Sequence, residues 1–166
     1  MDYITREQAR QDIVALGLPQ IVLDAFDGKP LPYNLEFSFN EPYQIFVLDA
    51  KGQAIYGEGR ITPIWTSGYT IVAYDHLPAR KGFFRFDIEV TGNEDEPFGL
   101  SWQQILVKEF KDLWQSECSD ERLREVASRF DFKHIESLIA ELPQAKLDTR
   151  EKDAHWYQSF LERVRD

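Results

Sequence analysis

The sequence predicts an α+β fold: a twisted antiparallel sheet of about five to six strands, with short N-terminal helices before it and a C-terminal helical segment packed on it. Three observations predict this. Between Leu31 and Val90 the apolar residues follow the period of two that gives a strand one buried and one wet face, and on either side they recur at helical spacing. Connections inside the alternating stretch are short, which permits only antiparallel neighbours, because a parallel return needs a crossover of about a dozen residues or more. The hydrophobic content of 43%, with twelve Phe, seven Tyr and four Trp among 166 residues, is enough to fill a core without a metal or a disulfide.

Taken in order, Thr5 and Gln8 form a capping box that opens a helix with Ala9, Ile13 and Leu16 along one stripe and Gly17 as its stop. Pro19 suits the start of a second short helix, in which Ile21, Val22, Ala25 and Phe26 face inward and Gly28 ends the turn. The alternation of Leu35, Phe37 and Phe39 with Glu36 and Ser38 reads as a first strand. A hairpin is then predicted, joining Tyr43–Leu48 to Gln53–Tyr56 through the turn Asp49-Ala50-Lys51-Gly52. Further strands are expected at Ile61–Thr66, Tyr69–Tyr74 and Phe83–Val90; in the last, Phe84, Phe86, Ile88 and Val90 point one way and Arg85, Asp87 and Glu89 the other.

The breakers and acids from Thr91 to Gly99 read as an exposed loop. Ser101 and Gln104 repeat the capping box, and Trp102, Ile105, Leu106, Phe110, Leu113 and Trp114 follow at helical spacing. Shorter helices are expected at Asp120–Phe130 and Asp131–Leu142, with Pro143 separating them from a last helix that starts at Thr149 and carries Trp156, Phe160 and Val164. The expected organisation is one domain over 1–166, helices plus sheet in 1–99 and helices in 100–166.

Composition narrows the function. The lone Cys118 cannot form an intramolecular bridge, the N-terminus lacks the basic start and apolar stretch of a signal peptide, and no apolar run approaches the roughly 20 residues of a membrane span, so a cytoplasmic location is expected. The formal charge of −10 is spread along the chain, with eight basic against twelve acidic side chains as far as Asn93 and eleven against seventeen after it. Such a surface repels nucleic acid and anionic membrane, and direct binding to either is not expected; it suits solubility or the steering of a basic partner.

No catalytic or metal-binding signature stands out, and no cofactor is expected. His76, His134 and His155 are isolated, without a His-x-x-x-His, Cys-x-x-Cys or His-x-Glu pair. The glycines of Tyr56-Gly57-Glu58-Gly59-Arg60 precede a strand and not a helix, so they make a bulge or tight turn, not a phosphate loop. Asp24 and Asp27 stand three apart on a short helix, a spacing that suits a cation, although a solvated charged face explains them more simply. Tyr74-Asp75-His76 is the best enzymatic constellation, a phenol, carboxylate and imidazole at a strand end. Turn chemistry accounts for the same residues. Trp65 and Tyr69 flank a glycine turn, where exposed aromatic groups serve as interface anchors.

Four stretches, Leu16-Gly17-Leu18-Pro19, Gly82-Phe83-Phe84-Arg85-Phe86-Asp87, the acidic loop, and Leu100-Ser101-Trp102-Gln103-Gln104-Ile105-Leu106, resemble in their order the SUKH superfamily of Smi1/Knr4-like and Syd-like proteins. The resemblance covers roughly residues 5 to 117. It departs at Ile64–Gly68, which only loosely echo a glycine-rich strand start, and residues 118–166 extend beyond the usual core. Many bacterial members look like immunity proteins, which neutralise a toxin by binding it. The resemblance therefore implies a non-catalytic protein-binding module, a monomer or homodimer, whose partner is a basic toxin domain such as a nuclease. It places the partner-facing side at Glu36, Trp65, Tyr69, Asp75 and the loop of Glu94, Asp95 and Glu96. Two alternatives stay open: a small-molecule or enzymatic pocket near Tyr74-Asp75-His76, and a scaffold docking through its C-terminal helices.

Overall fold

In the computed structural model, which describes residues 4–57, 59–90 and 97–165, the Thr5 side chain accepts the Gln8 N–H and the Gln8 side chain returns a bond to the Thr5 backbone. This capping box starts α1 (Arg6–Ala15), which buries Ala9 and Ile13. Pro19 stands at the N-cap of α2 (Gln20–Phe26), and all four predicted inward residues, Ile21, Val22, Ala25 and Phe26, are buried. These helices belong to the first of two compact units, Met1–Leu100 and Ser101–Asp166.

The stretch from Leu31 to Tyr56 departs from expectation. Leu35–Phe39 is not a strand: residues Pro32–Phe37 form 3₁₀ turns, interrupted where Tyr33 and Asn34 both adopt φ 58°. Leu35 and Phe39 are buried four residues apart while Phe37 between them is 79% exposed, which is helical spacing, and the Phe39 N–H reaches the Leu35 carbonyl at 2.8 Å. The predicted hairpin is also absent. Tyr43–Phe46 forms a single helical turn, α3, with Ile45 turned inward. Asp49 then caps α4 (Ala50–Ala54) by accepting the Gly52 N–H at 2.8 Å. An Asp three residues before a glycine suits a turn and a helix start equally; here it caps a helix, and Gly52 does not take the left-handed conformation that the hairpin needs. Gln53 secures this choice from inside, exchanging bonds of 2.9 and 3.1 Å with the Ile4 backbone and giving a third, at 3.2 Å, to the Ile45 carbonyl.

Among the described residues the sheet accordingly has three strands instead of five to six. β1 (Ile61–Ser67), β2 (Thr70–Asp75) and β3 (Gly82–Asp87) pair antiparallel in the order β1-β2-β3. A bulge between Pro63 and Trp65 shifts the β1 register. Gly68, at φ 60°, supplies the left-handed residue of the β1–β2 turn. Among the described residues each edge carries a bridge in place of a further strand, Asn40 with Thr66 and Phe83 with Leu100, each closed by two backbone bonds of 2.8–3.0 Å. One face buries Ile61, Ile71, Ala73, Phe84 and Phe86 beneath Ile45, with Phe46, Leu48, Tyr56 and Ile88 packed around them. Phe84 and Phe86 lie in the core as the alternation predicts, but Arg85 between them is only 3% exposed, so this part of β3 has no wet face.

The second unit is helical. Ser101 and Gln104 form the predicted box at the start of α5 (Trp102–Gln115), against which α6 (Asp120–Arg129), α7 (Ile135–Ala145) and α8 (Arg150–Arg163) pack. Phe110 stacks on Phe132 at 4.7 Å and meets Phe130 edge-on at 6.3 Å. Gln103 holds the α6–α7 connection, giving a bond to the Asp131 carbonyl at 2.7 Å and accepting the Lys133 N–H at 2.8 Å. Pro143 does not separate the last two helices; it sits within α7, which ends at Lys146 in the left-handed region. Among the described residues no helix is long and apolar enough to cross a membrane.

Candidate functional site

The first place where chemistry-bearing side chains converge lies between α1, β1 and the residue after β2. Thr62 is fully buried, and its hydroxyl donates to Asp12 Oδ2 at 2.7 Å. Arg60 also donates to Asp12 Oδ2. His76 Nε2 lies 2.8 Å from Thr62 Oγ1 and 3.8 Å from Asp12 Oδ2. A hydroxyl has one hydrogen, and Thr62 spends it on Asp12, so His76 carries its proton on Nε2 and donates to Thr62. The hydroxyl is thus buried and bound on both sides. This geometry braces α1 against β1 and presents no exposed nucleophile.

Burial holds the His76 pKa below its ordinary value of 6.5, with Asp12 opposing and Arg60 reinforcing the shift. In the unfolded chain the ring takes up its proton first, so the neutral-ring contribution is fully present above 6.5 and is lost as pH falls through 6.5 toward the depressed folded value. NMR titration of the ring is expected to show His76 titrating below 6.5 as the Nε2–H tautomer. Titration at or above that value contradicts the burial of the ring, and an Nδ1–H tautomer contradicts its donation to Thr62.

Beside it, Asp75 has no accessible surface, and its Oδ1 accepts the Leu77 N–H at 2.8 Å. Its Oδ2 is 3.3 Å from Arg80 Nε without the alignment of a hydrogen bond, so this is an ion pair only. Arg80 lies over the Phe98 ring at 4.1 Å and the Phe84 ring at 5.8 Å. Asp24 and Asp27 are committed to cations within the chain: Lys29 meets Asp24 at 2.9 Å, and Arg10 grips Asp27 with two bonds of 2.8 Å. These partners lower both carboxyl pKa values. Among the described residues no group of three or more His, Cys, Asp and Glu is placed to hold a metal ion.

The residues expected to face a partner do not converge. Trp65 is 1% exposed and meets Phe39 edge-on at 5.3 Å. Asp75 is equally inside the fold. Tyr69, in contrast, is 60% exposed, just before β2, at the opposite end of the strand from Asp75. At about 3.3 Å per residue that separation is roughly 20 Å. Glu36 is half-buried with Oε2 turned inward, without a hydrogen-bond partner among the described residues. Glu94, Asp95 and Glu96 lie outside the described residues, as does Glu58 of the glycine segment.

The structure instead brings other segments to the turn that holds Tyr69. Its carbonyl accepts the Ile88 N–H at 2.9 Å, Gln44 Nε2 donates to the neighbouring Gly68 carbonyl at 3.2 Å, and the Tyr56 hydroxyl donates to the Ile88 carbonyl. These bonds bring α3, the end of α4 and the end of β3 to the β1–β2 turn. Tyr43, Val47, Ile55 and Val90 in these segments are all more than half exposed. Tyr43 and Val47, four apart, share the outer face of the α3 turn. That spacing is the one signal in the sequence for this surface, and reading the segment as a strand hides it. Comparison with protein-family models, with curated proteins and with solved structures finds no match to this chain.

Proposed function

We propose that the chain is a non-catalytic protein-binding module of the immunity type, akin to the SUKH superfamily that its sequence resembles, and that it binds and neutralises a basic bacterial toxin domain. The observation that carries this reading is Tyr69, exposed on a turn that Gln44 ties to the α3 turn with its exposed Tyr43 and Val47, in a first unit that holds eight basic against fifteen acidic residues. Aromatic anchors in a net acidic surface favour a basic protein partner, through apolar contact at the centre and electrostatic steering at the rim. Five of the unit's cations, Arg6, Arg10, Lys29, Arg60 and Arg80, are engaged by carboxylates of the same unit, which leaves the outward field acidic.

Inspection of the genes flanking its own, followed by co-expression with any toxin-like product found there, tests the reading, and the lack of such a gene counts against it. A stable complex and survival of the producing cell are expected. Survival no better than with the toxin alone, together with no co-purified complex, sinks it.

A further inference from the structure

We infer that the face formed by Tyr43, Val47 and Tyr69, with Ile55 and Val90 beside them, receives a segment of the partner in which an apolar or aromatic anchor is flanked by Lys or Arg. The inference rests on the protein-binding reading and names its surface and the chemistry of its occupant. Continuity comes from the hydrogen bonds already described, which tie Gln44 to Gly68, Tyr69 to Ile88 and Ile88 to Tyr56. Exposure comes from Val47 at 78%, against Ile45 two residues earlier at 0%: the turn divides into an outward apolar side and a side sunk in the core.

Charge selects the occupant. In the contributing segments, residues 43–57, 67–70 and 87–90, the charged side chains are Asp49, Asp87 and Glu89 against Lys51. Asp49 and Asp87 already accept backbone N–H groups, of Gly52 and Glu89, each at 2.8 Å. These bonds fix the two carboxylates in place, and none of the three acids has an ion pair among the described residues. The unit's described ion pairs are spent elsewhere, on α1, α2 and the His76 side of the sheet. An apolar patch whose contributing segments carry three acids against one lysine, two of the acids fixed in place, disfavours a second copy of itself and attracts a basic segment.

The test uses two synthetic peptide amides, KLWKR and ELWEE, titrated into the ¹⁵N-labelled full chain. KLWKR is expected to shift the amides of Tyr43–Val47, Gly68–Thr70 and Asp87–Glu89 saturably, more weakly as salt rises, while ELWEE leaves them in place. The pair Tyr43→Ser with Val47→Ser is expected to weaken KLWKR about tenfold. Val14→Ser, at an exposed apolar position of α1, leaves the affinity unchanged. No saturable binding, equal binding of both peptides, shifts confined to other segments, or dimerisation of the chain through this face overturns the inference. The two failures separate in the toxin assay: a complex unaffected by Tyr43→Ser with Val47→Ser removes this face and spares the function, whereas no complex with the unaltered chain removes the function itself.

Discussion

Trp65→Ala is expected to lower the unfolding free energy of the first unit by about 3–5 kcal/mol, the range for a large aromatic removed from a well-packed core. The side chain is 1% exposed and meets Phe39 edge-on at 5.3 Å, so alanine leaves a cavity that a close-packed interior fills only in part. Tyr69→Ala four residues later is expected to change stability by less than about 0.5 kcal/mol, because an exposed ring loses little on truncation. Urea denaturation followed by circular dichroism measures both. The sequence offers these two aromatics as equivalent anchors across one turn, and the structure divides them: one builds the surface and the other is the surface. Comparable losses from both substitutions would show that Tyr69 is part of the core.

Gly82→Ala is the second large effect. Gly82 has φ 141°, and a Cβ there would stand 2.6 Å from the Gly99 carbonyl carbon and 2.7 Å from its Cα, both backbone atoms that no rotamer change can move. The crowding arises because the chain returns beside β3 to form the Phe83–Leu100 bridge. Positive φ and backbone contact add, and a loss of about 2–4 kcal/mol is expected, from strain of about 1–3 kcal/mol and the bridge bonds that must lengthen. Gly68→Ala is the control, since it shares the positive φ but has nothing within 4 Å of its Cβ position. Its cost is expected to be the strain alone, about 1 kcal/mol. Equal costs for the two would mean that the approach of the chain to Gly82 carries no energy.

Helices with a capping box were legible from sequence because the signal is local and redundant: Thr5 with Gln8 and Ser101 with Gln104 both form as read. The three strands were legible because Gly68 and the short link after Asp75 leave no other geometry. Residues 35–56 were not. There the apolar residues Leu35, Phe37 and Phe39 satisfy period two, and only burial shows that Leu35 and Phe39 form the inward pair. The choice is made by non-local contacts, the bridge from Asn40 to Thr66 and the bonds from Gln53 to Ile4, which no window of sequence contains. The candidate site inherits the same blindness. Tyr69 was visible because its turn is local, while the α3 turn with Tyr43 and Val47 is tied to that turn, through Gln44 and Gly68, by a fold that the alternation hides. The Asp12–Thr62–His76 brace was invisible for a related reason, since it joins residues about 50 and 14 apart in the chain.

The central claim is that recognition resides in the exposed face at Tyr69 and not in the polar cluster at His76. Calorimetric titration of a toxin domain identified by the co-expression test into the unaltered chain, Tyr69→Ser and His76→Gln tests it most directly. The account predicts about tenfold weaker binding for Tyr69→Ser at unchanged melting temperature and unaltered affinity for His76→Gln. Affinity untouched by Tyr69→Ser but lost in a folded His76→Gln protein would contradict it.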